Sequence, residues 1–212
     1  MKQIVVIFLA FASVLGDPST LVDDILSETR KAIGDSLPFA PLNYYHRNYR
    51  NDGDDIDAEL KGMGAHLGLG SFVRKQAPVV WGSQDQAILE SRFFIDSNVT
   101  YDYFTASNFT SGEHSQGNMN VYYDYTEIFS WISIDRKGGN CLTSVSTFMP
   151  IAMADAAPEF FAASSVDLPM RLFDSAKYTV GFYLNQTIVD VGIKPFSDVV
   201  KSRADLCTLL PK

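Results

Sequence analysis

The spacing of hydrophobic positions changes twice along the chain. From Leu21, apolar residues recur at Val22, Ile25, Leu26, Ala32, Ile33 and Leu37, the three-and-four spacing of one helical face. Ser19 or Thr20 is placed to cap this helix, and Asp23 and Asp24 are expected in its first turn, where the helix dipole favours acidic groups. Pro38 and Pro41 end it, and a polar loop follows from Asn43 to Asp55. The period then becomes two. Ile56, Ala58 and Leu60 alternate, then Ala65, Leu67 and Leu69, with Gly62, Gly64, Gly68 and Gly70 between them. Glycines inside a strand predict a bend or bulges. Long strands are expected over Gln86–Tyr103, Met119–Ile134 and Cys141–Phe148, separated by a loop from Thr105 to Gly117 and a turn at Gly138-Gly139. Helical spacing returns in a short segment from Ala154 to Ala163. It continues in a long stripe through Met170, Phe173, Ala176, Val180, Tyr183, Leu184, Ile188 and Val191. Pro195 should break or kink that helix, with Phe196, Val199 and Val200 extending the pattern beyond it. Sequential strands joined by turns make an antiparallel meander, and amphipathic helices need an apolar face to cover. The expected fold is α+β: a long curved antiparallel sheet rolled around a long N-terminal helix, with a long C-terminal helix.

Composition narrows the function. At 212 residues, 46% hydrophobic and 20% charged, the chain is too apolar for a disordered protein and suits one globular domain. Its 15 Phe, 10 Tyr and 2 Trp exceed what a minimal core needs, which points to an aromatic-lined interior or an apolar binding surface. The net charge of −8 argues against a nucleic-acid or anionic-membrane partner. Met1-Lys2-Gln3, the apolar run Ile4–Leu15 and the small Gly16 read as a secretory signal peptide over residues 1–16, leaving 17–212 as a single domain. That run is too short to span a bilayer, and a secreted, extracellular product without an integral membrane segment is expected. Secretion gives meaning to the sequons at Asn98, Asn108 and Asn185, the first two expected to be accessible and the third to lie in a helix. It also bears on the two cysteines. One disulfide between Cys141 and Cys207 is the economical inference in an oxidising compartment; two free or intermolecular thiols are the alternative.

The residues carry no catalytic constellation. His46, His66 and His114 are far apart in sequence and fit no zinc pattern. Gly68-Leu69-Gly70-Ser71-Phe72 places its serine wrongly for a nucleophile elbow, and Leu67 stands where a dinucleotide fingerprint needs glycine. The stretch Asn48–Glu59 has the glycine and final glutamate of a calcium loop. However, Arg50 replaces a ligand and Asp55 replaces the apolar residue that locks such a loop, so it reads as a solvated acidic turn. No enzyme activity, cofactor or metal is expected.

The helix Leu21–Leu37, the segment Ile56–Lys75 with its Gly68–Phe72 stretch, the Tyr- and Phe-rich strands, and the closing Tyr183–Thr187 and Lys194-Pro195-Phe196 together resemble a known group. They are similar to the arthropod secreted lipid-binding proteins related to mite group 7 allergens and to juvenile-hormone-binding and takeout proteins, of the tubular lipid-binding superfamily. The positions of the two cysteines favour the allergen-like branch over the hormone-binding one. The resemblance implies a sheet rolled about a helix and enclosing an elongated apolar cavity. Candidate lining residues are Val22, Ile25, Ile33, Phe93, Ile95, Tyr101, Tyr123, Phe129, Trp131, Phe173, Val180 and Tyr183, with tyrosine hydroxyls to orient a polar head. The expected function is a secreted, non-enzymatic carrier of a small hydrophobic ligand or lipid. Competing readings are a lipocalin-like barrel, which would have little helix, and a secreted recognition protein that binds a microbial lipid or a protein partner without an enclosed ligand.

Overall fold

Asp17 opens the first helix. Its carboxylate accepts from the Ser19 amide at 3.1 Å and from the Thr20 hydroxyl at 3.0 Å, and Pro18 follows at the first helical position. The computed structural model describes residues 17–51, 54–153, 156–160 and 170–210; the expected signal peptide lies outside them. Helix α1 runs over Pro18–Ile33 and ends at Gly34, whose φ of 90° suits glycine. The cap is thus Asp17 rather than Ser19 or Thr20. Asp23 and Asp24 lie beyond the first turn, and the helix stops short of Leu37.

Strands β1 (Leu37–Pro38), β2 (Leu42–Asn51), β3 (Asp54–Arg74), β4 (Val79–Gly82), β5 (Gln86–Asn108), β6 (Glu113–Lys137), β7 (Asn140–Met153) and β8 (Ala156–Phe160) follow. Helix α2 (Met170–Ser202) and a 3₁₀ turn (Ala204–Leu209) close the chain. Among the described residues the strands form one antiparallel sheet. Its main path is β1-β3-β5-β6-β7, with β2 on β3, β4 on β5 and β8 on β6. The sheet is open, and both helices lie on one of its faces, here called inner.

Three expected loops or helices are strands. The polar stretch Asn43–Asp55 is mostly β2 and its hairpin to β3, pairing Leu42 with Gly62 and Asn51 with Asp54. It is a sheet edge, where polar side chains are tolerated because one row faces water. The calcium-loop-like stretch falls on this hairpin. The loop expected over Thr105–Gly117 shrinks to a tight turn. There the Asn108 Oδ1 accepts from the Thr110 and Ser111 amides at 3.0 and 3.1 Å, so Asn108 is buried rather than accessible. Of the short helix expected over Ala154–Ala163, residues 156–160 pair with β6 as β8, and the others lie outside the described residues.

Of the bend or bulges expected in the glycine-rich strand, the structure has a bulge at one place, where the register with β5 shifts between Leu69 and Phe72. Arg30 of α1 fastens this bulge. Its guanidinium donates to the carbonyls of Leu69 and Gly70, both at 2.6 Å, and to that of Gly34 at 2.6 Å. Pro195 does not break α2, which continues to Ser202. Cys141 and Cys207 form a disulfide that ties the 3₁₀ turn to β7 across 66 residues of chain. Closing a loop of that length contributes on the order of 4 kcal/mol in the chain-entropy picture.

Candidate functional site

The inner face of the sheet is apolar along most of its length. β5 buries alternate residues, among them Leu89, Phe93, Ile95, Val99 and Tyr101. β6 adds Val121 and Tyr123 near one end and Ile128, Ile132 and Ile134 near the other. From α1, Val22 and Ile25 are buried in this core and Ile33 packs at its border.

Helix α2 covers the rest with a row spaced by four: Ala176, Val180, Leu184, Ile188, Gly192, Phe196 and Val200 are all buried. Each step of four advances about 40° around the helix, so the buried line winds and faces different neighbours at its two ends. The later half is pinned. Phe196 stacks with Phe93 at 6.0 Å and meets Phe148 at 5.2 Å, and Thr143 donates its hydroxyl to the Val200 carbonyl at 2.9 Å. Just past the helix, Arg203 donates to Glu28 at 2.8 Å, Asp24 at 3.3 Å and Asp205 at 2.7 Å, clasping α1. Those three carboxylates and the disulfide fix this end.

The earlier half meets the sheet differently. Gly181 lets it approach closely, since a β-carbon there would strike Met153. Tyr123 donates its hydroxyl to the Lys177 carbonyl at 3.1 Å. Burial pushes the Tyr101 and Tyr123 hydroxyls well above the ordinary tyrosine range, so both stay protonated donors. A small apolar void of about 10 Å³ lies here, between Ala176 and Val180 of α2 and Leu42, Phe104, Met119 and Val121 of the sheet. It is about the size of one water molecule.

The twelve expected lining residues divide. Val22, Ile25, Phe93, Ile95, Tyr101, Tyr123 and Val180 are brought together at the inner core, with Ile33 and Phe173 packed against it. Tyr183 is 40% exposed on the outward side of α2, beside Phe182. Phe129 and Trp131 lie on the opposite, outer face. There Phe129 pairs in register with Arg92, whose guanidinium sits 5.5 Å from its ring, and Trp131 lies 5.3 Å from Phe129. Sequence reasoning also missed a charged group on that face: Glu127 is 4% exposed and accepts from the Lys75 ammonium at 2.6 Å. Lys75 in turn lies 5.1 Å from the Phe94 ring. Nothing in the local sequence joins Lys75 to Glu127; the strand register does.

The helix-covered sheet has a counterpart among solved structures. A crystal structure of lipopolysaccharide binding protein is similar to this chain with a TM-score of 0.51 at 12% sequence identity, over 89% of this chain and 38% of that one. The chain thus spans well under half of the length of the protein it matches. No protein-family model and no curated protein matches the sequence. At this identity the likeness is one of fold alone, and it does not reach the mite-allergen or takeout branches. No helix among the described residues is long and apolar enough to cross a membrane.

Proposed function

We propose that the protein is a secreted, non-enzymatic carrier that binds a small apolar ligand or lipid between the inner face of the sheet and the first half of α2. The observation that carries this reading is the asymmetry of α2. Its later half is tied to the rest of the molecule by a disulfide and an arginine clasp. Its earlier half seals an apolar seam, with a void in it, by small residues and close approach. Lifting that half from the sheet would enlarge the void into an elongated site walled by Phe104, Met119, Val121 and Val180. Taking up an apolar chain there removes its surface from water at about 25 cal/mol per Å². The similarity of fold to a lipopolysaccharide binding protein supports a lipid as ligand. The resemblance to arthropod carriers, and glycosylation at Asn98 and Asn185, belong to the same proposal.

Organic-solvent extraction of the purified protein followed by mass spectrometry should release a copurifying lipid, and a fluorescent long-chain fatty acid should bind saturably. An extract without lipid together with no uptake of the probe would overturn the reading. The alternative, surface recognition without an enclosed ligand, draws on Tyr178 and Phe182, which are 77% and 68% exposed on α2. It predicts that Phe182→Ala abolishes binding while changes at Val180 leave it intact.

A further inference from the structure

The outer face of the sheet carries a second concavity, far in character from the apolar seam. It is an open cleft of about 400 Å³ between the β4–β5 hairpin and β6. Trp81, Gln86, Ile88, Ser133 and Asp135 are among the residues that line it. Strand register sets these residues side by side: Trp81 pairs with Ile88, Ile88 with Ser133, and Gln86 with Asp135. The hairpin is closed tightly, with the Ser83 amide donating to the Gln86 carbonyl at 2.6 Å. Gly82 permits this, because any β-carbon there would strike the Gln86 carbonyl and the Ala87 backbone, and its φ is 154°.

We propose that this cleft binds a neutral saccharide, one pyranose ring stacking on Trp81 while its hydroxyls pair with Gln86 and Asp135. Three observations support that chemistry. Trp81 is 47% exposed although it is one of the two largest apolar side chains in the protein. An indole face is electron-rich and attracts the weakly positive C–H face of a sugar ring. The Trp131 ring, edge-on at 6.3 Å, supports it from one side, and Trp131 is itself held by its indole N–H on Glu90 at 3.2 Å. Next, Gln86 Nε2 donates to Asp135 Oδ1 at 3.0 Å. That bond orients two planar polar groups and uses only one hydrogen and one oxygen of them. The remaining amide and carboxylate atoms supply both donors and acceptors, as vicinal hydroxyls require. Finally, the lining has one carboxylate and no cationic side chain, which selects a neutral sugar over a sulfated, phosphorylated or uronic one. The cleft faces away from the α2 seam, so this inference does not depend on the carrier reading.

Trp81 lines the cleft and Trp131 contacts its ring, but ligand-observed saturation-transfer NMR reads binding without relying on either. The probes are the methyl glycosides of glucose, galactose, mannose and N-acetylglucosamine. At least one should show saturable transfer with a dissociation constant of about 1 mM, as a ligand of this size in an open cleft gives. Trp81→Ala and Gln86→Ala should each weaken it about tenfold or more, with unchanged circular dichroism, and Phe182→Ala on the far face should leave it unaltered. Absence of transfer from all four glycosides would overturn the proposal. So would transfer that survives undiminished in a folded Trp81→Ala or Gln86→Ala protein.

Discussion

Gly62 leaves the space that the ring of Tyr101 fills. A β-carbon at Gly62 would run into that ring, and Tyr101 is fully buried and has nowhere to shift. Gly62→Ala should therefore lower stability by about 1–3 kcal/mol through overpacking, read as a fall in the denaturant midpoint at constant slope. Residue identity made part of this legible. Four glycines in one strand signal a departure from a plain ladder, yet only Gly70 adjoins a register shift. Gly62 and Gly68 are there for close approach, by Tyr101 and Asn98, which only the pairing of β3 with β5 reveals. Arg30 was illegible for the same reason. The carbonyls it holds at Leu69 and Gly70 are 39 and 40 residues away. Asp17, Ser19 and Thr20 are all capable caps, and Pro18 at the first helical position decides for Asp17.

At the scale of elements, the long periodic segments were the readable ones. The apolar stripe on α2 and the long alternating runs of β5 and β6 show in sequence because one face of each is buried over many residues. Strands β2 and β8 carry little apolar alternation and β4 is apolar but only four residues long, and all three pair along a longer neighbour that offers unpaired backbone groups. Pro195 removes the donor to the Val191 carbonyl, but Phe196 beside it is wedged against Phe93 and Phe148, and this packing carries the helix through. The clasp at the end of α2 gives the elements a pH dependence. The hydrogen bond from Arg203 holds the Asp205 carboxyl below the ordinary carboxylate range. A lowered folded-state pKa stabilises fully above the unfolded value, about 3.9, and the contribution is lost as pH falls through the folded value. Thermal melts should thus decline below about pH 4, and Arg203→Gln should flatten that decline. At neutral pH the same substitution should cost about 1–2 kcal/mol, because three carboxylates lose one partly buried partner.

Over the whole molecule, what separated the legible from the illegible was which face each strand presents. Val121 and Tyr123 point inward, and continuing the alternation places Phe129 and Trp131 with them. An extra β6 residue between the Ile95 and Ser97 pairings flips the parity, so Ile128, Ile132 and Ile134 face the core instead. The inner-face half of the candidate site is therefore legible up to that bulge. Beyond it, the aromatics expected to line a cavity, Phe129 and Trp131, belong to the outer face. The two faces have different chemistries, and the proposed carriage of a ligand requires the inner one to open along half of α2. Hydrogen–deuterium exchange of the protein with and without oleate tests this most directly. Without the fatty acid, amides of residues 173–184 should exchange faster than those of 196–202, and oleate should slow exchange in the first segment alone. Uniform protection along α2 with no change on adding oleate would contradict it.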